Sequence, residues 1–322
     1  MSRRKNNKRN NNKILAGILA LFMLLALVIF GASTETINAF SNAVGLNIMV
    51  ENNTNTANNK EKYIPTENEL KVYFIDVGQA DSILVTNDKE NMLIDAGNND
   101  DGEIVVNFLK NKGISKIKYL VGTHPHEDHI GGLDDVINNF EIENIYMPKI
   151  ETTTKTFKDV LTAIENKSIK VTAPKKGDRF QLGEAKCEVV TDSILNKENL
   201  NLSSIVIRLE FGKNSFLFMG DAETENEKTI TWPKTDVLKV AHHGSYTSSS
   251  EFFLNEVAPT YAIIMVGKDN NYGLPKEKVL NRLLKINAQI YRTDESGTIE
   301  MRSNGNEIHV INKKAESENI PK

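Results

Sequence analysis

Hydrophobic and polar positions divide the chain into a polar start, one long apolar run and a region where short apolar segments alternate with amphipathic ones. Short apolar segments bounded by turn residues predict strands, and apolar residues at positions i, i+3 and i+4 predict helices. Strands are predicted at 70–76, 82–86, 91–95, 117–123, 142–147, 204–211, 215–219, 237–241, 261–266, 298–302 and 307–311, with another near Ile290. Helices are predicted at 103–112, 133–139, 157–166, 251–257 and 276–286, with another after Asp221.

The order of these elements predicts an α/β fold. Strands and helices alternate in two similar halves, although no repeat is evident in the sequence. Each sheet and each amphipathic helix must bury its apolar face against another layer. The pattern therefore predicts two sheets packed face to face, with helices on the outside.

The beginning of the chain has a different pattern. Residues 1–13 contain six Lys or Arg residues and no acid, and the nineteen residues 14–32 contain no charge. A helix of that length spans about 28 Å, close to the thickness of a bilayer's hydrocarbon core. A cleaved signal peptide also fits, but its apolar core is usually shorter, which favours an uncleaved anchor. In both cases the basic residues stay in the cytoplasm and the remainder is exported.

Five segments follow from these patterns. They are a basic cytoplasmic segment (1–13), a transmembrane anchor or signal segment (14–32), a flexible Asn-rich linker (33–68), a folded domain (69–312) and a disordered tail (313–322). A hydrophobic content of 39% and a charged content of 25% are typical of globular proteins.

Charge and cysteine content exclude some classes of function. Without the first 13 residues, 33 Lys and Arg residues remain against 43 Asp and Glu, a net charge of −10. Proteins that hold long nucleic acid by many phosphate contacts usually have a basic face, so this chain favours short substrates, a local patch or a metal-dependent contact. Cys187 is the only cysteine, which excludes an intrachain disulfide, and its alternating surroundings predict a strand position and not a nucleophile.

Residues 123–132, Thr-His-Pro-His-Glu-Asp-His-Ile-Gly-Gly, have the clearest chemistry. Three of the chain's six histidines and one aspartate lie within six positions. His124 and His126 point to the same side of an extended segment, whereas Asp128 and His129 follow where the chain turns into a helix. Imidazole and carboxylate ligands suit Zn²⁺ or Mn²⁺, and two adjacent ions can activate a water and bind an anionic substrate. The cluster therefore predicts a site for two divalent ions.

Two later strand ends add candidate ligands. Asp221 can bridge two ions, or it can cap the helix that follows. His242 and His243 precede a glycine, so that one can bind metal and the other can donate to a substrate oxygen, but their spacing does not decide between them. We assign His242 to the metal, and His243 together with Ser245 to the substrate.

Other polar residues are candidates for holding the metal-bound imidazoles in place. Asp95 is the expected hydrogen-bond acceptor for the histidine loop. Asp76, Gln79 and Asp81 are either similar supports or turn residues. His309, in a terminal strand of mixed polarity, is expected to be structural.

These motifs resemble those of the metallo-β-lactamase superfamily. The resemblance lies in His124-x-His126-x-Asp128-His129, in Asp221 and in His242-His243-Gly244. Further motifs resemble the metallo-hydrolase domain of ComEC-type competence (DNA-uptake) proteins and that of teichoic-acid phosphorylcholine esterases: Asp76-Val77-Gly78-Gln79-x-Asp81-Ser82, Ser204-Ile205-Val206, His243-Gly244-Ser245 and Arg292-Thr293-Asp294-x-x-Gly297-Thr298. The resemblance covers about residues 70–312. It implies a four-layer αβ/βα sandwich with metals at the sheet edges.

The chain departs from that family pattern in three respects. Many members have a further metal-binding histidine before the bridging aspartate, but here no histidine lies between His129 and His242. The first ion then lacks a third protein ligand or takes one from Asp76, Gln79 or Asn201. Ala80 and Leu274 also replace a frequent Gly and a frequent His. These 322 residues contain no polytopic membrane region, so we do not expect a DNA translocation pore.

The resulting prediction is a membrane-tethered, extracytoplasmic, metal-dependent hydrolase that acts on a phosphodiester. Two Zn or Mn ions are held by His124, His126, Asp128, His129, Asp221 and His242, while Asp128 also orients the attacking hydroxide. The expected substrate is a short or single-stranded nucleic acid or a wall polymer, and protein partners stay unspecified. Alternatives are a hydrolase of a cell-wall phosphoester, a lactone or a β-lactam, and a non-catalytic module that binds DNA or cell wall.

Overall fold

The computed structural model describes Phe40 and residues 68–311. The chain divides into two units, Met1–Ile64 and Pro65–Lys322, and the elements described below lie in the second. The predicted basic segment, membrane segment and tail lie outside the described residues, as does the predicted linker apart from Phe40 and Asn68. Among the residues described, no helix is both long and apolar enough to cross a membrane.

Residues 68–311 form fifteen strands and eight α-helices. The strands are β1 Leu70–Phe74, β2 Ile83–Asn87, β3 Glu90–Ile94, β4 Lys116–Val121, β5 Glu141–Tyr146, β6 Val171–Thr172, β7 Arg179–Leu182, β8 Ala185–Val189, β9 Ile207–Phe211, β10 Asn214–Phe218, β11 Val237–Lys239, β12 Tyr261–Ile264, β13 Gln289–Arg292, β14 Ile299–Ser303 and β15 Ile308–Ile311. The helices are α1 Gly102–Asn111, α2 Glu127–Ile130, α3 Leu133–Asn139, α4 Lys155–Lys167, α5 Thr224–Glu227, α6 Glu251–Val257, α7 Glu277–Lys285 and α8 Thr293–Ser296. Short 3₁₀ turns lie at Asn99–Asp101, Leu200–Ser203 and Ala241–Gly244.

The strands form two mixed sheets. The first sheet has the order β15-β14-β1-β2-β3-β4-β5-β6, and the second has the order β13-β12-β11-β10-β9-β8-β7. Strands β3 to β6 run parallel in the first sheet, and β10 to β13 run parallel in the second. The loops that follow these parallel strands therefore leave each sheet at one edge, which is where ligands bind in α/β folds.

Alternation of side chains along the strands builds four layers. In β1 and β10, Phe74, Phe216 and Phe218 point into the core between the two sheets. The neighbouring Tyr73 and Leu217 point outward and are covered by helices, so both faces of these strands are apolar. Helices α1, α3 and α4 pack on the first sheet, and α6 and α7 on the second. The prediction of two face-to-face sheets with helices outside is confirmed.

Caps fix the helix ends close to the predicted positions. The side chains of Thr154 and Ser250 accept hydrogen bonds from backbone amides in the first turns of α4 and α6. Helices α3 and α6 have the predicted bounds. Cys187 lies in β8 and faces the core between the sheets, where burial raises the pKa of its thiol to about 12. That environment fits the structural role predicted for it.

The sequence pattern was wrong or silent at a few elements. Both residues of β6 are exposed, and β7 is largely polar, so neither strand has an apolar signature. The strand predicted from residue 204 begins at Ile207, because residues 200–203 form a 3₁₀ turn and Ile205 N donates to Thr123 O across the two sheets (2.9 Å). This contact joins the second sheet to the histidine loop.

Candidate metal centre

The predicted metal ligands converge where the two sheets meet at one edge. The histidine loop follows β4, Asp95 follows β3, and Asp221 follows β10. His242 and His243 follow β11 in the 3₁₀ turn Ala241–Gly244. The fold therefore brings together residues separated by more than 140 positions, because the parallel strands that carry them end at a common edge.

His124 and His126 form the first group of nitrogens. His124 Nε2 lies 3.0 Å from His126 Nδ1 and 3.9 Å from Asp221 Oδ2. Burial, with the neighbouring His129, holds the pKa of His124 well below 6.5, and burial also lowers the pKa of His126. Both imidazoles are therefore neutral near pH 7, the form in which histidine binds a metal.

Asp128, His129, Asp221 and His243 form a second group, whose ligand atoms all lie within 4.8 Å of one another. His129 Nε2 lies 3.2 Å from Asp221 Oδ1 and 3.9 Å from Asp128 Oδ2. His243 Nε2 lies 3.3 Å from Asp128 Oδ2 and 3.8 Å from Asp221 Oδ1. Two imidazoles and two carboxylates thus face a common point.

Asp221 lies between the two groups. Its Oδ1 faces His129 and His243, while its Oδ2 faces His124. Burial alone raises the pKa of this carboxyl, but the surrounding imidazoles outweigh it and hold that pKa well below the usual range. The alternative of a helix cap does not apply, since Glu223 occupies the N-cap position of α5. The two oxygens of this carboxylate therefore face different imidazoles.

The donor set fits divalent cations. His243 Nδ1 lies 2.8 Å from Met265 O, which orients the ring so that Nε2 faces Asp128. His129 Nε2 and Asp221 Oδ1 are buried and, within residues 68–311, have no hydrogen-bond partner. Lone pairs that face each other in a buried site need a proton or a metal ion between them. Imidazole and carboxylate together suit Zn²⁺ or Mn²⁺.

Asp95 holds the histidine loop in place by hydrogen bonds. It is fully buried, and its Oδ2 accepts hydrogen bonds from His129 Nδ1 (2.8 Å) and Thr123 Oγ1 (2.7 Å). Its Oδ1 accepts from Thr123 N (2.8 Å). A carboxylate on Nδ1 fixes the ring so that Nε2 is the free, metal-facing atom. Asp95 therefore lies where the sequence places a support for the imidazoles.

A buried ion pair behind the site was not recognised from the sequence. Lys239 is fully buried, and its ammonium group contacts Asp81 Oδ2. Asp81 Oδ1 in turn lies 3.4 Å from His243 Nδ1. A buried charge needs a partner of opposite sign, and the pair places a fixed cation among the carboxylates of the site. The signal was a single lysine in the otherwise apolar strand 237–241.

The other candidates lie elsewhere. Asp76 is exposed and accepts a hydrogen bond from Gly78 N, as a turn residue does (3.2 Å). Gln79 Oε1 accepts from Gly267 N (3.1 Å). Ser245 Oγ lies 3.2 Å from Thr247 Oγ1. In β15, His309 Nε2 is 3.5 Å from Glu307 Oε2. None of these contacts involves Asp221.

The structure also distinguishes the positions of the two adjacent histidines. The sequence-based assignment gave His242 to the metal and His243 to the substrate. His243 instead lies in the second group with Asp128 and His129, and its ring is held by Met265 O. His242 is the more exposed of the two, and it lies on the Oδ2 side of Asp221.

Comparisons with known proteins identify the family of this chain and several relatives. The sequence model of the family described as "Metallo-beta-lactamase superfamily" matches residues 75–268. ComE operon protein 3 of Bacillus subtilis (strain 168) is 32% identical over 256 residues, which are 73% of this chain and 33% of that protein. Recombination protein 2 of Haemophilus influenzae is 31% identical over 234 residues, 70% of this chain and 28% of that protein. The chain thus spans about a third of the length of these curated relatives.

A solved structure matches the fold. The metallo-beta-lactamase fold protein YhfI from Bacillus subtilis superposes with a TM-score of 0.50, over 72% of this chain and 99% of that chain. The two sequences are 10% identical, so the similarity is one of fold alone.

Proposed function

Because the chain belongs to the metallo-β-lactamase superfamily and is related to ComEC-type competence proteins, we propose that it hydrolyses a phosphodiester with two bound divalent ions, Zn or Mn. One observation carries the proposal: the buried Asp221 carboxylate lies between two groups of imidazoles, with its Oδ1 and His129 Nε2 facing each other. The resemblance read from the motifs is confirmed at the level of the family.

The candidate ligands divide into two sets, one for each ion. His124 and His126 would hold one ion, Asp128, His129 and His243 would hold the other, and Asp221 would contribute to both. Bound divalent ions lower the pKa of a coordinated water and stabilise charge on phosphoryl oxygens. His243, which the sequence assigned to the substrate, therefore joins the ligands, since its Nε2 points toward Asp128 and Asp221.

Asp128 is the residue best placed to act on the attacking water. Its side chain is 32% exposed, whereas those of His129 and Asp221 are almost fully buried. Burial raises the pKa of the Asp128 carboxyl, but His129 and His243 outweigh it and lower that pKa strongly. The carboxylate therefore stays ionised and is available to accept a hydrogen bond from an attacking water.

The substrate and location are part of the same proposal. The curated relatives include ComE operon protein 3 and "Competence protein ComA" of Neisseria gonorrhoeae, which supports a nucleic-acid substrate. The net charge of −10 beyond residue 13 favours a short or single-stranded ligand over a long duplex. The basic residues before the uncharged run 14–32 support a membrane tether with the domain on the outer side.

A comparison of ester classes tests the activity. We expect the full chain, purified in detergent and loaded with Zn²⁺ or Mn²⁺, to cleave bis-p-nitrophenyl phosphate faster than nitrocefin or a chromogenic lactone. His126→Ala and Asp221→Ala should reduce turnover to background, because each removes a ligand. His309→Ala is the matched control and should keep the wild-type rate. Preferred turnover of nitrocefin or the lactone, or unchanged rates in the two ligand variants, would refute the proposal.

A second panel identifies the substrate among the phosphoesters. Single-stranded DNA, duplex DNA, RNA and a phosphocholine-substituted polymer are offered at equal phosphodiester concentration. We expect single-stranded nucleic acid to be cleaved fastest. Preference for the polymer would replace the nucleic-acid substrate with a cell-wall ester.

A further inference from the structure

The first ion has fewer ligands than the second. Three protein groups would hold it, His124, His126 and Asp221 Oδ2, whereas the four residues Asp128, His129, Asp221 and His243 would hold the second. Two residues that the sequence offered as substitutes are engaged elsewhere: Asp76 binds Gly78 N and Gln79 binds Gly267 N. A further donor would therefore come from the remaining side of Asp221 Oδ2.

His242 occupies that side. Its Nε2 lies 3.6 Å from Asp221 Oδ2, the oxygen that also faces His124 Nε2 at 3.9 Å. His243 Nε2 faces the other oxygen, Oδ1, at 3.8 Å. The two adjacent imidazoles are thus directed to opposite sides of one carboxylate, with ring centroids 6.3 Å apart and planes at 70°.

The backbone makes this division possible. His242 (φ 52°, ψ 46°) and His243 (φ 52°, ψ 23°) are both left-handed, and Gly244 follows with φ 81°. A left-handed conformation is unfavourable for a residue other than glycine. Such strain persists where the surrounding structure requires it, commonly at functional sites. Here it is held by His242 N donating to Gly220 O (3.1 Å) and Ser245 N donating to His242 O (2.8 Å).

The orientation of the His242 ring follows the pattern of the other ligands. His242 Nδ1 lies 3.1 Å from Thr247 Oγ1 and 3.5 Å from Glu223 Oε1. Glu223 is itself held by the amides of Asn199 (2.8 Å) and Asn201 (3.2 Å). Thr247 and Glu223 on the Nδ1 side turn Nε2 toward Asp221 Oδ2, and another polar neighbour of Nε2 is Asn201 Nδ2 at 3.5 Å.

We propose that the two adjacent histidines serve different ions. His242 Nε2 completes the site formed by His124, His126 and Asp221 Oδ2, with Glu223 as the positioning residue for its ring. His243 completes the site on the Oδ1 side. The proposal rests on the metal centre of the proposed function. In it, His242 takes the place of the histidine that many family members supply between the first cluster and the bridging aspartate.

Metal stoichiometry tests the division. The full chain is dialysed against Zn²⁺, and bound metal is measured by mass spectrometry of the elements. We expect two equivalents for the wild type and one for His242→Ala, and one again for the double variant His124→Ala/His242→Ala, because both residues serve the same ion. His242→Ala/His243→Ala should bind less than either single variant. His309→Ala is the control and should keep two equivalents.

A magnetic signature provides an independent readout. Two Mn²⁺ ions that share the Asp221 carboxylate are exchange-coupled, whereas a single ion gives the six-line spectrum of isolated Mn²⁺. We expect coupling in the wild type and its loss in His242→Ala. Glu223→Gln should weaken binding of the first ion by about 10–100-fold and leave the affinity for the second ion unchanged. The exposed Glu225→Gln is its matched control.

The outcomes separate this inference from the proposed function. A wild type that binds no metal refutes both. A wild type with one ion, or a His242→Ala variant with two coupled ions, refutes the division of the histidines and leaves a metal-dependent hydrolase. Loss of the first ion in Asn201→Ala but not in His242→Ala would assign the third ligand to Asn201 instead. Should His242→Ala fail to fold, Glu223→Gln decides, and unchanged affinities for both ions would overturn the proposal.

Discussion

His129 is a buried imidazole surrounded by the carboxylates of Asp95, Asp128 and Asp221. Burial lowers the pKa of an imidazole, but the three carboxylates outweigh it here and hold the pKa of His129 well above 6.5. Without metal, a proton therefore occupies the place between His129 and Asp221. An ion that enters must displace this proton, so metal affinity depends on pH.

The sign of that pH dependence can be stated for the metal-free protein. The raised pKa means that protonated His129 stabilises the fold fully below about pH 6.5, its unfolded pKa, and that this contribution is lost as pH rises through the folded pKa. We expect the Tm of the EDTA-treated protein to fall toward alkaline pH, and the gain in Tm on adding Zn²⁺ to be larger at pH 8.5 than at pH 6. Thermal denaturation at several pH values measures both. An equal gain at the two pH values would contradict this role of His129.

Single residues also mark what the sequence could and could not predict. The spacing of His124, His126, Asp128 and His129 predicted a metal cluster, since ligands at short spacing need little help from the fold. The roles of His242 and His243 could not be read in the same way, because the direction of adjacent side chains depends on a left-handed backbone that spacing does not reveal. Lys239 and Asp81 were missed as a pair because 158 positions separate them.

Helix α2 carries Asp128 and His129, and it has only four residues. So short a helix is not stable alone and must be held by its neighbours. The loop after β3 holds it: Ala96 N donates to His129 O (2.7 Å), and Gly131 N donates to Gly97 O (2.9 Å). A Cβ on Gly131 would lie 2.2 Å from the backbone carbon of Asn98. This close approach explains the first of the two glycines at the end of the histidine motif.

Substitution of Gly131 tests the link between this packing and the metal. Gly131→Ala should destabilise the fold by about 1–3 kcal/mol through overpacking against a backbone that cannot yield. It should also weaken metal binding, because His129 moves with α2. Urea denaturation and metal titration measure the two effects. Gly113→Ala is the control: its Cβ meets open space, and only its positive φ is strained, so metal binding should be unchanged. Wild-type metal affinity in Gly131→Ala would show that α2 does not need this close contact.

Strands were predictable where both faces are covered. The central strands β1, β4 and β10 are rich in buried apolar residues and were found with bounds close to those observed. Strands β6 and β7 lie at the edges of their sheets and have exposed residues, so their pairing comes from neighbours and not from their own composition. Local pattern therefore predicts the centre of each sheet better than its edge.

The whole domain gathers the candidate ligands and the groups that support them, from residues 81 to 265, at one edge of a two-sheet sandwich. The sequence predicted the two halves and the motifs at the strand ends. It did not predict which strands pair, such as β1 with the distant β14, because pairing depends on contacts far apart in the chain. The face of Asp221 that each imidazole meets also follows from the fold alone.

Anomalous diffraction from crystals grown with Zn²⁺ or Mn²⁺ is the measurement that decides whether this edge is a metal centre. We expect two peaks, one on each side of the Asp221 carboxylate and about 3.5–4 Å apart, the spacing usual in two-metal sites. One peak should lie beside Nε2 of His129 and His243, and the other beside His124, His126 and His242. An absence of ordered ions, with His129 Nε2 hydrogen-bonded directly to Asp221 Oδ1, would contradict the metal-dependent function.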